Sequence, residues 1–415
     1  MLMDKLKSYG VSGMAKFLFA NALYSLSTAL ISFLSPSLLE NRVYVDFIYL
    51  FQMVLFMTGI FTAGLIPGLL RYYKFDNKKY EFYYYFTALI IMLFLLIIGL
   101  FPRNFISAAL KITPDSISDS LMIYLSVIFS LLFVFNRGAQ TAKCNYDAIL
   151  KDVMIIFVAR IILLFVVKLS NLSNTYAILA LLCIVPFFYE LWIFVSSLTK
   201  LKKSDLTGYG DFLGFIFKIS VAGVIFTATG RLFIISSKSY DPSLAAALSF
   251  AAGMTGIISI FNTTFSSVFI GKLDHRDQNG VIQYVSKIKK FFLPFLIATL
   301  LFGGGVFLFV SLIYPENTVQ ASVISSITVI HCALMSYVGL ITLMTKTFNI
   351  MNVQIILNIC AFLIVFLFVK LFSVMINEYV SYVIINSILL IMEVSLAFIV
   401  LKHVQKYSFK AEGTI

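Results

Sequence analysis

Long apolar runs and short polar links alternate along the chain almost from end to end. A helix needs about 20 mostly apolar residues to cross a bilayer, and the runs are of that order. The first covers residues 11–34 and stops at Ser35-Pro36. The second covers 43–70 and is closed by Arg71, Tyr72, Tyr73 and Lys74, and the third covers 82–101, ending at Pro102-Arg103. Residues 117–135 follow, with a polar tail toward Ala142, then 153–167, extended by a turn at each end, and 175–198 before a basic link. A further set occupies 212–235, 244–270, 291–313, 319–344, 353–369 and 379–400. The pattern predicts an all-α integral membrane protein with twelve transmembrane helices. These runs are too long and continuous to be the alternating strands of a barrel.

Composition fits lipid as the solvent. Of the 415 residues, 60% are apolar and 12% are Asp, Glu, Lys or Arg, about half of the roughly 25% charged share usual in soluble domains. The mean hydropathy is +0.98. A water-soluble chain of this size has too little surface to dispose of so much apolar area. The net charge of +12 would suit nucleic acid in another protein. Here the Lys and Arg are spread through short loops, which fits anionic membrane lipid and no nucleic acid.

The same charges orient the chain. With the N-terminus in the cytoplasm, 21 of the 31 Lys and Arg fall on the cytoplasmic side. They include the groups at Arg71–Lys79, Lys200–Lys203 and Lys272–Lys290. Six fall opposite: Arg42, Arg103, Lys111, Lys168, Lys238 and Lys370. The positive-inside rule then puts both termini in the cytoplasm.

Cys144, Cys183, Cys332 and Cys360 are isolated, with no metal-site spacing, and read as small apolar side chains. No GxxxxGK[ST] or HExxH motif is present. We expect no metal, no cofactor and no enzyme activity, with transport driven by a gradient. The basic N-terminal segment reads as the start of the first span and not as a removed signal peptide.

The chain divides into 1–203 and 204–415, each an expected six-helix bundle. The first and seventh runs open alike, with Gly13 and Lys16 in one and Gly214 and Lys218 in the other. Parallel repeats of this kind are related by a pseudo-two-fold along the membrane normal, and rocking of one against the other gives alternating access.

Charges inside the spans are expensive and mark function by default. Lys16, Arg160, Lys218 and Arg231 stand against Glu190 and Glu393, so the interior is basic by two charges and suits an anion such as phosphate or pyrophosphate. Lys16 and Lys218 are shallow, and each either snorkels to the interface or faces a cavity. Arg160 is mid-span and is expected to pair with Glu190, either as a lock between helices or as a ligand or gating contact. Arg231 shares a small, polar stripe with Ser220, Gly223, Thr227 and Gly230, and lies about 140° around its helix from Lys218. Thr255, Ser259, Asn262 and Ser266 are spaced to share one helix face, a stripe that can hydrogen-bond sugars or neighbouring helices. Arg137 and Gln140 are expected at the cytoplasmic mouth of the fourth span. Glu393 shares a face with Asn386 and can carry a proton or pair with a base, while His331 reads as structural. Tyr72, Tyr73, Tyr80, Tyr83, Tyr84 and Tyr85 cluster at one span boundary, where tyrosine suits the headgroup region.

Twelve spans in two halves, the string FTAGLIPGLLRYY closing the second span and the basic residues of spans one and seven resemble the polysaccharide-exporting branch of the multidrug/oligosaccharidyl-lipid/polysaccharide flippase superfamily. The similarity is to bacterial O-antigen and capsule repeat-unit flippases. It implies a multi-pass protein of the bacterial cytoplasmic (inner) membrane that turns undecaprenyl-pyrophosphate-linked oligosaccharides to the periplasmic leaflet. A cationic central cavity would take the headgroup, with Lys16, Lys218 and Arg231 along its path. It also implies proton or other ion coupling, membrane lipids as contacts, and a glycan polymerase and chain-length regulator downstream. The different faces of Lys218 and Arg231 depart from a single phosphate-binding cluster. Three other classes compete. A multidrug extruder of the same fold should prefer acidic or aromatic cavity residues. A major-facilitator transporter should carry a basic motif between spans two and three that is not evident here. A membrane glycosyltransferase should show an acidic cluster or a large loop.

Overall fold

The computed structural model describes residues 11–101, 105–112, 114, 116–201, 205–270, 285–286, 288, 290, 292–314, 318–342, 344–347, 350–371 and 376–412. Within these segments the side chains at 256, 257 and 259–270, and a few near segment ends, lie outside the description. The described residues form helices and no strands. In chain order these are α1 (Val11–Leu38), α2 (Asn41–Thr62), α3 (Leu65–Tyr72), α4 (Asn77–Gly99), α5 (Phe105–Ala109), α6 (Ile117–Ala142), α7 (Tyr146–Leu169), α8 (Thr175–Cys183) and α9 (Phe188–Lys200). They continue with α10 (Tyr209–Ser237), α11 (Pro242–Ile270), α12 (Phe292–Ile313), α13 (Thr318–Thr342), α14 (Met344–Thr347), α15 (Met351–Leu371) and α16 (Glu378–Glu412).

Ten helices among the described residues are long and apolar enough to cross a membrane. The other two expected spans are helical as well. One is α7, which carries Asp147, Lys151, Asp152, Arg160 and Lys168. The other is α11, whose described apolar part is Pro242–Thr255. Helix starts follow local chemistry. Side-chain oxygens of Asp76, Ser116, Asn145 and Asn174 accept from the amides of Lys79, Asp119, Ala148 and Ala177, satisfying donors that the first turn leaves open. Asp241 does the same for Ser243 and Leu244, with Pro242 opening α11.

Three boundaries differ from the sequence expectation. The first helix runs through Pro36 to Leu38, because a proline this close to the end forfeits few bonds and Leu39 N still donates to Ser35 O at 3.0 Å. The second span is broken into α2 and α3 around Gly64, because Pro67 has no N–H to give to the carbonyl of Ala63, and another helix approaches closely there. The sixth is broken into α8 and α9 by a 3-10 turn at Val185–Phe187, which contains Pro186.

Packing follows the same scheme in each part of the chain. Helix α1 packs on α7 as α10 packs on α15, and α2 packs on α6 as α11 packs on α13. The contacts α4–α6 and α12–α13 correspond as well, as do α6 with α8–α9 and α13 with α16. This recurrence supports our proposal that 1–203 and 204–415 are like halves. They meet through α1, α2 and α3 on one side and α10, α11 and α12 on the other.

Candidate functional site

Two glycines let the halves come together. At Gly64 an added Cβ would strike Ile216 O and Ser220 Oγ on α10, and at Gly68 it would lie 2.6 Å from Ile216 Cγ1. Around this contact Tyr72 packs edge-on against Phe212 and Phe215, Tyr80 and Tyr83 pack on Phe212, and Arg71 sits 4.4 Å over the Phe215 ring. Tyr83 donates to Asp205 O and Thr207 O, and Tyr84 donates to Phe135 O at 2.9 Å. Tyr83, Tyr84 and Tyr85 are buried. These three tyrosines, expected as headgroup anchors, are packing residues, and the hydroxyls of Tyr83 and Tyr84 satisfy backbone carbonyls inside the protein.

The cations expected in the interior separate into different environments. Arg160 is 1% exposed. Its Nη1 donates to Ser27 Oγ at 2.9 Å and Thr28 Oγ1 at 3.1 Å, and both hydroxyls in turn donate to Tyr24 O. The guanidinium lies 5.6 Å from the Tyr24 ring centre and 5.0 Å from that of Phe187, the ring that the Pro186 break turns inward. Arg137 is 5.5 Å from the same Tyr24 ring, so two guanidinium groups share one aromatic face system in the first half.

Glu190 does not pair with Arg160. It is fully buried and takes Asn136 Nδ2 on Oε2 at 2.6 Å, the same amide reaching its carbonyl at 2.9 Å. The equal depth of Arg160 and Glu190 in the membrane does not fix their rotation about two separate helices, and neutral partners supply both. Glu393 is buried on α16, and Asn386 donates to Tyr382 O in its own helix.

Lys16 is in an ion pair with Asp147 at 2.6 Å, both partly exposed, which binds the start of α1 to the start of α7. Lys218 is exposed on α10, with no partner among the described residues. Thr227 and Thr255 spend their hydroxyls on Gly223 O and Ala252 O of their own helices. Ser259, Asn262 and Ser266 lie on α11, but their side chains fall outside the described residues.

Arg231 alone among these cations lies at the junction of the halves. Its Nη2 reaches Gln52 Oε1 of α2 at 3.4 Å. Arg231 Nη1 and Gln52 Nε2 are buried with no hydrogen-bond partner among the described residues, as are Ser32 Oγ of α1 and Ser249 Oγ of α11. A Cβ at Gly253 would meet Ser32 Oγ, and Gln52 Nε2 at 3.2 Å, so the glycine makes the room in which these groups meet. Ser249 lies one turn before Gly253 on the same face. On α1 the buried residues Asn21, Thr28, Ser32 and Ser35 follow helical spacing along one face, with Thr28 at Arg160 and Ser32 at the junction about one turn, or ~6 Å, further on. The site is thus a donor-rich polar track from the interior of the first half to the seam between halves. Gln52 and Ser32 were absent from the sequence expectation. Their signal is a glutamine inside the apolar run FIYLFQMVLF and the hydroxyl period in NALYSLSTALIS.

No protein-family model matches the chain, and no curated protein matches it in sequence. Solved structures do match its fold. The eukaryotic MATE transporter AtDTX14 superposes with a TM-score of 0.66 at 12% identity, over 95% of this chain and 97% of that one. A multidrug resistance MATE family transporter of the MOP superfamily, in an outward-facing conformation, gives 0.62 at 13% identity over 95% of this chain and 96% of that one. A MOP superfamily transporter from Pyrococcus furiosus gives 0.57 at 13% identity over 95% of each chain, and the reverse polarity of its binding pocket is taken to suggest a different function. The chain is a multi-pass membrane protein with the fold of MATE transporters of the MOP superfamily. Its structural neighbours are transporters and not enzymes.

Proposed function

We propose that the protein carries a solute with an anionic group through the seam between its halves, by alternating access. We propose further that the solute is a lipid-linked oligosaccharide bearing a pyrophosphate, turned from the cytoplasmic to the outer leaflet of a bacterial inner membrane. The observation that carries this reading is Arg231, whose buried Nη1 has no partner among the described residues. Neither Arg231 nor Arg160 is in an ion pair among those residues. A buried cation without a carboxylate is costly, and a substrate anion removes that cost on arrival. Gln52, Ser32 and Ser249 add neutral donors, so the anion is held moderately and can leave. A diphosphate with sugars cannot cross hydrocarbon, whereas its polyprenyl tail can stay in lipid. The charged path is the only part a protein must build. Arg160 and Arg137 deepen the positive field beside that path, and Glu190 and Glu393 are the groups available to couple a proton. A glycan polymerase and a chain-length regulator would act on the product.

A second reading, multidrug extrusion, is favoured by the solved structures, one of which is a multidrug resistance transporter. The buried carboxylates of Glu190 and Glu393 and the Tyr24 and Phe187 rings beside Arg160 suit it. The reverse pocket polarity in another protein of this fold is a precedent for a changed cargo. One reconstitution separates the readings. Liposomes containing the protein and undecaprenyl-pyrophosphate-linked oligosaccharide should show leaflet exchange that Arg231→Gln slows by about tenfold, with an imposed proton gradient testing coupling. Efflux of a cationic dye without lipid exchange would establish the second reading instead.

A further inference from the structure

At the end of the bundle away from the N-terminus, a pocket of about 260 Å³ is lined by Asp46, Tyr49, Lys111, Thr175, Tyr176 and Lys238, with Leu50 and Ile112 completing the wall. It draws on both halves, since Asp46 and Tyr49 belong to α2 and Lys238 caps α10. Lys238 Nζ bonds Asp46 Oδ1 at 2.6 Å and lies 5.2 Å over the Tyr49 ring. The Tyr49 hydroxyl donates to Leu110 O, pinning the turn after α5. In that turn Lys111 is held in a left-handed conformation, φ 57°, with Ile112 N donating to Ser107 O at 2.9 Å. A lysine rarely adopts this backbone, and here it sets the side chain at the mouth of the pocket. Lys111 is exposed and its ammonium has no partner among the described residues. Two lysines and one carboxylate therefore line the same pocket, with Thr175 and Tyr176 beside them.

We propose that this pocket binds a phosphate-bearing group, and that the group takes Lys238 from Asp46. Phosphate offers several acceptor oxygens, enough for both lysines and a hydroxyl at once. The volume falls just below the roughly 300–1,000 Å³ of drug-sized sites, which fits a headgroup or a sugar phosphate. Occupancy leaves Asp46 without its cation and so loosens a clasp between α2 and α10. Binding at this end is thereby coupled to separation of the halves there. None of this depends on which solute the protein carries.

The test uses the full chain in nanodiscs of phosphatidylcholine, titrated with glucose 1-phosphate by calorimetry, and repeated in phosphatidylglycerol discs. The expected result is saturable binding in phosphatidylcholine, weakened about tenfold by Lys111→Gln and by Lys238→Gln. Asp46→Asn should bind as well as the unaltered protein or several-fold tighter, because it frees Lys238. A merely structural ion pair predicts that Asp46→Asn and Lys238→Gln lose binding together. Loss of glucose 1-phosphate binding in phosphatidylglycerol discs identifies a lipid headgroup as the occupant, and retention identifies a soluble phosphate. Spin labels at Arg42→Cys and Tyr240→Cys, with native cysteines replaced by serine, should move apart on addition of the phosphate that binds. Absence of saturable binding in phosphatidylcholine, lysine variants that bind normally, or weakened binding by Asp46→Asn would each overturn the proposal. Lys111 is exposed, so its variant tests binding without endangering the fold.

Discussion

Arg160 is held by neutral groups alone: two hydroxyls and two rings. Ser27 and Thr28 keep their own acceptor, Tyr24 O, whether or not the guanidinium is present, so removing the charge strands little. Arg160→Met, which keeps most of the stem volume, should therefore cost about 1 kcal/mol or less in stability. Arg160→Ala opens a cavity and should cost about 2–4 kcal/mol. Thermal unfolding in detergent measures both. If the arginine serves the anion path, transport in liposomes falls in the Met variant despite its intact fold. A fully active Met variant would make Arg160 a packing residue and leave the path to Arg231. The sequence disclosed that Arg160 is buried, since snorkelling from mid-span is hard, but its partners were not legible there. Depth along a helix can be counted, whereas the facing residue depends on how two helices are rotated against each other. That is why Glu190 went to Asn136. It is also why Gln52, a lone amide in an apolar run, became visible as a site residue only with α10 beside it.

At the scale of elements, hydrophobic run length located the helices well, because lipid leaves the backbone no alternative to internal hydrogen bonding. Pro186 breaks its span in a way a proline invites. The break at Gly64 carries the same sign, since Pro67 has no N–H to give to the carbonyl of Ala63 four residues back, and what the sequence does not show is the approach of α10 that makes glycine necessary there. The three glycines Gly59, Gly64 and Gly253 make the point measurable. A Cβ on Gly59 meets nothing within 4 Å, one on Gly253 meets Ser32 Oγ, Ser32 Cβ at 2.9 Å and Gln52 Nε2 at 3.2 Å, and one on Gly64 meets backbone of α10. At Gly253 the Ser32 hydroxyl can rotate and its Cβ needs only a small shift of α1, whereas at Gly64 the Ile216 carbonyl is fixed in α10. Gly59→Ala should hold or raise the melting temperature. Gly253→Ala should lower it, and Gly64→Ala should lower it further, costing about 1–3 kcal/mol by forcing α2–α3 from α10. Any other order, read by thermal unfolding of the three variants, would mean that the seam is looser than its geometry.

For the whole molecule, the direction of the proposed transport depends on the orientation of the chain, and the charge distribution makes that orientation testable with a native side chain. Cys144 is exposed in the link between α6 and α7, beside Lys143, which pairs with Glu81 at 2.6 Å. This link lies at the basic end of the bundle, which the positive-inside rule assigns to the cytoplasm. In a Cys360→Ser background, a membrane-impermeant maleimide should label Cys144 in inside-out vesicles and leave it unlabelled in intact cells. Tyr240→Cys, at the opposite end beside Lys238, should behave the other way round once Cys144 is replaced by serine. Agreement puts the phosphate pocket of Lys111 and Lys238 on the outer face, where it would meet cargo or lipid after the seam has opened outward. Labelling of Cys144 from outside would invert the chain and place the pocket at the entrance. A phosphate that loosens the clasp would then admit substrate instead of releasing it, and the arginines of the seam would serve uptake of an anion instead of export.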